Sequence, residues 1–114
     1  MDKLDQYRQA IQAVLENHHQ ISPSAREEGV DRQLIIDRER DHYQLLRVGW
    51  RNDEEPVFGS IIHISLKNGK IWIERDFTEV GVANELIERG VPKEDIVLAF
   101  HAPYKRPYTG FAVA

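Results

Sequence analysis

Residues 61–76 read Ile-Ile-His-Ile-Ser-Leu-Lys-Asn-Gly-Lys-Ile-Trp-Ile-Glu-Arg-Asp, and this stretch decides the fold. Apolar runs at 57–66 and 71–75 flank Lys67-Asn68-Gly69-Lys70. Asn-Gly suits a type I′ turn, whose two central residues both need positive φ. A two-residue turn also fixes the register. Leu66 is expected opposite Ile71, and Ile64 opposite Ile73, with all four on one face. Ser65 opposite Trp72 and His63 opposite Glu74 then take the other face.

Upstream, 33–39 and 42–50 carry β-branched and aromatic residues around Arg40-Asp41, which predicts two more strands. With no Gly or Asn at the bend, a four-residue loop is expected there. Residues 51–56 form a polar loop containing Asp53, Glu54 and Glu55. The chain opens with a helix, because Leu4, Tyr7, Ile11, Val14, Leu15 and His18 recur on one face. Asp2 is its expected cap and Ser22-Pro23-Ser24 its stop, with a connecting loop over 25–31. Downstream, a second helix is expected over 79–89, capped by Thr78, with Val80, Ala83 and Ile87 inward and Gly90 ending it. Pro92 opens a short helical turn. Ile96 to Phe100 is apolar at every position and reads as a strand covered on both faces. The tail, 101–114, has no regular period.

The fold class is therefore α+β: a mainly antiparallel sheet of about five strands with two helices packed on one face. The order is helix, four strands, helix, strand, tail, in a single domain over 1–114. Two helices cover one sheet face, yet apolar residues point to both. Ile35, Leu46, Val48 and Trp50 alternate with Leu34, Ile36 and Leu45, and Ile61 and Trp72 alternate with Ile62, Ile64, Leu66, Ile71 and Ile73. A homo-oligomer, with a dimer favoured, or another protein partner is expected on the spare face. Its candidate residues are Ile61, His63, Trp72, Glu74, Tyr104, Lys105, Arg106 and Tyr108, with Trp72 as anchor and the tail as rim.

Chemistry is harder to place. The absence of cysteine excludes disulfides, thiolate metal sites and cysteine nucleophiles. The N-terminus lacks a signal-peptide core and no apolar run is long enough for a bilayer, so a cytoplasmic protein is expected. The five histidines lack ligand spacing: His18 and His19 are adjacent, and His42, His63 and His101 are scattered. Ser60 has no G-x-S-x-G elbow, and Gly81 stands without the companions of a phosphate loop. A metal-dependent nuclease would need converging carboxylates. Asp37, Glu39, Asp41, Glu74 and Asp76 are the available set, but the first three read as a solvated hairpin end. The tail Phe100-His101-Ala102-Pro103-Tyr104-Lys105-Arg106-Pro107-Tyr108 interleaves aromatic and basic residues, as a base-stacking strand would. On a chain of net charge −4 it reads better as an extended arm packed on a neighbouring subunit.

The strings WIERDFTEVGVANELIERGVPKEDIVLAFHAPYKRPYTGFAVA (72–114), IIHISLKNGKIWIERD (61–76), DRERDHYQLLRVGW (37–50) and MDKLDQYRQAI (1–11) resemble the XisI family. These are the fdxN-element excision controlling factors of cyanobacteria. The resemblance implies a regulatory, non-catalytic role in developmental excision of a DNA element, with a separate site-specific recombinase exchanging strands. It also implies contact with an XisH-like protein. No catalytic, metal or cofactor residues come with it. The alternatives are a DNA-binding accessory factor and a metal-dependent nuclease.

Overall fold

The computed structural model describes residues 2–20 and 27–114. Helix α1 spans Lys3–His19, and strands β1 to β4 span Val30–Asp37, His42–Arg51, Glu55–Lys67 and Lys70–Asp76. Helix α2 follows at Val82–Glu88 and strand β5 at Ile96–Leu98. The strands lie side by side in chain order, antiparallel except for β5, which runs parallel to β4 through the α2 crossover. The sheet is thus mixed, because a helix connects its last two strands. The expected helix stop at Ser22-Pro23-Ser24 lies outside the described residues.

The 68–69 turn is type I′ in character, with Asn68 at φ 55° and Gly69 at φ 75°. It pairs Leu66 with Ile71, Ser65 with Trp72 and Ile64 with Ile73, as expected. Beyond Ile64 a bulge intervenes, so His63 faces Arg75 and Glu74 is the extra residue. The expected His63–Glu74 pair is corrected accordingly. A second bulge pairs Leu45 with Ile62 but Leu46 with Ser60, leaving Ile61 without an opposite residue. A bulge reverses the alternation on one side of it. Ile61 consequently packs against the core with Ile62 and is not on the face of Trp72.

Ile62, Ile64, Leu66, Ile71 and Ile73 join Tyr43, Leu45 and Ile96 in one buried cluster beneath the helices. Helix α1 contributes Tyr7, Ile11, Val14 and Leu15, while Leu4 at its start is exposed. Its Asp2 carboxylate accepts the Asp5 N–H at 2.8 Å, the expected cap.

Helix α2 is shorter than its sequence pattern. The Asp76 carboxylate accepts hydrogen bonds from Thr78 N–H (2.9 Å), Thr78 Oγ1 (2.6 Å) and Val82 N–H (2.8 Å). That clamp holds 76–81 in a non-helical turn, with Gly81 at φ 89°. Thr78 therefore bonds the Gly81 N–H inside the turn and does not cap the helix. Val80 is exposed, and Val82 and Leu86 are the buried residues. Gly90 ends the helix as expected: its N–H reaches Ile87 O, and Val91 N–H reaches Leu86 O.

Strand β5 stops at Leu98, so Ala99 and Phe100 lie beyond it, and Phe100 is exposed. Ile96 and Val97 are both fully buried, as a strand covered on both faces requires. Ile96 faces the helices, and Val97 is bridged by Ala112 of the tail. The tail is not an extended arm. A 3₁₀ helix at Pro103–Tyr108 folds it back, and Ala112 N–H bonds Ile96 O at 2.9 Å. Pairing with its own sheet satisfies backbone groups that an arm would leave to a neighbour.

Candidate interaction surface

The sheet face away from the helices has two halves. On the half nearer the tail, His42, Ser65, Trp72 and Val97 stand side by side on β2 to β5. Ser65 is buried, and its hydroxyl lies 3.1 Å from His42 Nδ1. The His42 and His63 rings meet edge to face with centroids 6.3 Å apart. Burial pushes the His63 imidazole below its usual range, with Glu74 acting in the opposite direction.

Trp72 is half-buried. The Lys67 ammonium stands 4.1 Å from its ring centroid, and the Arg106 guanidinium of the tail 5.7 Å. Both are cation–π contacts that the register and the folded tail create together. Among the described residues no group accepts a hydrogen bond from the buried Trp72 Nε1. Arg106 also donates to His101 O (3.1 Å) and Ala99 O (3.3 Å), so it braces the tail. Lys105 lies beside the ring of its neighbour Tyr104. Tyr104 and Tyr108 project from the 3₁₀ helix at 73% and 88% exposure, a ring area that the fold itself does not use.

The structure thus sets Arg106 beside Trp72 and Glu74 near His63, carries Tyr104, Lys105 and Tyr108 on the same 3₁₀ helix as Arg106, and removes Ile61 from them. Ile61 instead lines a cleft with His18, Arg32, Phe77 and Val80. His18, at the end of the apolar stripe of α1, pairs with Glu85 of α2 at 2.8 Å.

Ser60, Asp37, Asp41 and Asp76, considered for chemistry, are engaged structurally. Ser60 Oγ donates to Ile62 O within the strand. Asp37 accepts the N–H groups of Glu39 and Arg40, which hold its carboxyl below the usual range and shape the hairpin loop over 38–41. Asp41 receives Arg8 Nε at 2.8 Å, Arg8 Nη2 at 3.1 Å and the Tyr43 hydroxyl at 2.7 Å. This fork, led by Arg8, keeps the Asp41 carboxyl low and ties α1 to the first hairpin. Asp76 holds the turn before α2. Among the described residues no group of three or more His, Asp or Glu side chains converges as a metal site would need.

On the other half of this face sequence reasoning placed Ile35, Leu46, Val48 and Trp50 but missed Phe58. Leu46, Val48 and Trp50 of β2 lie beside Ser60, Phe58 and Pro56 of β3, and Ile35 adjoins on β1. Phe58 is the most exposed of them at 77%. Counted back from Ile62 by twos, Phe58 falls on the core face; the bulge at Ile61 turns it outward.

The XisI family model, described as XisI protein, matches residues 1–113. A solved XisI-like protein from Anabaena variabilis is 39% identical, with a TM-score of 0.89, covering 99% of this chain and 100% of its own. The crystallised fdxN element excision controlling factor XisI from Anabaena variabilis is 41% identical, with a TM-score of 0.88 and the same coverage. No curated protein matches the chain.

Proposed function

The chain belongs to the XisI family, and from that premise we propose that it is a regulatory factor for excision of a DNA element. It acts through protein contacts, while a separate site-specific recombinase exchanges the strands. The observation that carries this reading is similarity along the whole chain to a protein named as an excision controlling factor. Its side chains support the non-catalytic part: Ser60, Asp37, Asp41 and Asp76 each spend their polar atoms on holding the backbone or a neighbouring element.

An XisH-like protein is the proposed partner, and the surface assigned to it is the Trp72–tail side. Tyr104 and Tyr108 offer large exposed rings on a braced 3₁₀ helix, and aromatic residues of this kind dominate interface energetics. Direct DNA binding is less well supported there, because Arg106 is committed to two carbonyls and to Trp72. The test is co-elution of the full chain with an XisH-like protein, each purified separately. A joint peak that the double variant Tyr104→Ala/Tyr108→Ala weakens is expected. Separate elution at tens of micromolar would overturn the partner, and an unaffected complex in the variant would overturn the surface.

A further inference from the structure

Both helices lie on one sheet face, and on the other the tail sets Arg106 over Trp72 of β4. Among the described residues, nothing covers the outer face of β1 to β3 in this way. There Ile35 (42% exposed), Trp50 (55%) and Phe58 (77%) surround the half-buried Leu46 and Val48. We propose that this face is the contact between two copies of the chain, packed sheet to sheet about a two-fold axis. The inference goes beyond the partner assigned to the Trp72–tail side, and the isolated chain suffices to test it.

Area is the first argument. Taking roughly 150–250 Å² for a whole aromatic side chain, Trp50 and Phe58 alone leave about 200–300 Å² in water. Ile35, Leu46, Val48 and Pro56 extend the same patch. A standard dimer buries about 800 Å² per copy, of which somewhat over half is apolar. The patch supplies that apolar centre with strand-borne residues whose positions the ladder already fixes.

Charge is the second. A two-fold interface sets a patch against itself, so a patch of one sign repels its own image. The patch itself consists of Gln33, Ile35, Gln44, Leu46, Val48, Trp50, Pro56, Phe58 and Ser60, none of them ionisable, with His42 and His63 beside it on the same face. Asp31, in line with Val48 and Phe58, and Asp37 stand at the rim of the patch on the edge strand. A neutral centre is compatible with its own copy. Nothing in it selects a partner of opposite charge.

Sedimentation equilibrium of the full chain, from low to hundreds of micromolar, reads the proposal. The unsubstituted chain is expected to be a dimer at low micromolar concentration. Phe58→Glu places a carboxylate in the centre of the contact and should weaken association by about 100-fold or more. Val80→Glu, an equally exposed site beside the helices, should leave it unchanged. Trp50→Lys is run alongside, with near-ultraviolet circular dichroism, so that loss of fold in one variant is recognised and the other still reports. A monomer throughout the range overturns the inference, as do Phe58→Glu and Trp50→Lys variants that associate like the parent. A chain that is monomeric alone, yet loses capture of an XisH-like protein on Phe58→Glu, assigns the face to that partner and also overturns it.

Discussion

Replacing Gly49 with alanine separates close backbone packing from generic strand preference more sharply than any other change in this sheet. A methyl on Gly49 would stand 2.1 Å from Gly29 O and 2.8 Å from Val30 Cα. Carbon atoms pack best at roughly 3.5–4.0 Å, so both contacts are deep overlaps with backbone that no rotamer change relieves. Gly29 O is also fixed, because it accepts the Trp50 N–H at 2.9 Å. Relief requires β1 to move off β2 at its first residues and that hydrogen bond to break. Overpacking costs about 1–3 kcal/mol and a lost hydrogen bond about 1 kcal/mol, so a loss of about 2–4 kcal/mol is expected. For a domain of this size that lowers the melting temperature by about 8–16 °C. Gly59→Ala in the neighbouring strand is the control, since a methyl there meets nothing within 4 Å. It should stay within about 0.5 kcal/mol of the parent. Chemical denaturation of both variants gives the comparison. A Gly49→Ala cost below about 1 kcal/mol, or one equal to Gly59→Ala, would refute the packing argument.

Gly69→Val should destabilise by about 1–3 kcal/mol, because a β-branched residue is strained at the φ of 75° that the turn requires; an unchanged denaturation midpoint would contradict it. Stability should also fall on acidification in two stages. The usual imidazole value is 6.5, and burial sets the folded His63 below it. Its contribution is therefore complete above the unfolded value and lost as pH falls through the folded one. Asp41, held low first by Arg8, and Asp95, held low first by Lys3, behave likewise at lower pH. Denaturant midpoints against pH should show both stages, and His63→Gln should remove only the upper one. Stability that rises from about pH 7 to about pH 5 would reverse the sign argued here.

Legibility in the sequence followed the range of the interactions involved. The 68–69 turn, the Asp2 cap and the Gly90 stop depend on a few neighbouring residues, and each stands where the local chemistry puts it. The alternation of Leu34, Ile36 and Leu45 against Ile35, Leu46 and Val48 also holds, because no bulge interrupts those strands. What failed needed long-range information. Two extra residues, Ile61 and Glu74, shift the pairing of β3, and nothing in their side chains marks them as bulges. The shift took Ile61 out of the candidate surface and put Phe58 outside. Helix α2 lost its first turn to the Asp76 clamp, which a helical reading beginning at Glu79 does not foresee. The fold of the tail depends on long-range contacts in the same way. Arg106 reads as a cation for a partner until the fold brings His101 O, Ala99 O and Trp72 around it.

A regulatory chain of this kind controls a reaction that it does not perform. The direct measurement is excision of a plasmid-borne element by its recombinase, scored as joined product. It is run with and without this chain and an XisH-like protein. The expected result is that product formation changes only when both proteins are present, that Tyr104→Ala/Tyr108→Ala removes the change, and that the chain alone leaves the plasmid uncut with or without divalent metal. Excision indifferent to the chain, or DNA cleaved by the chain alone, would contradict it.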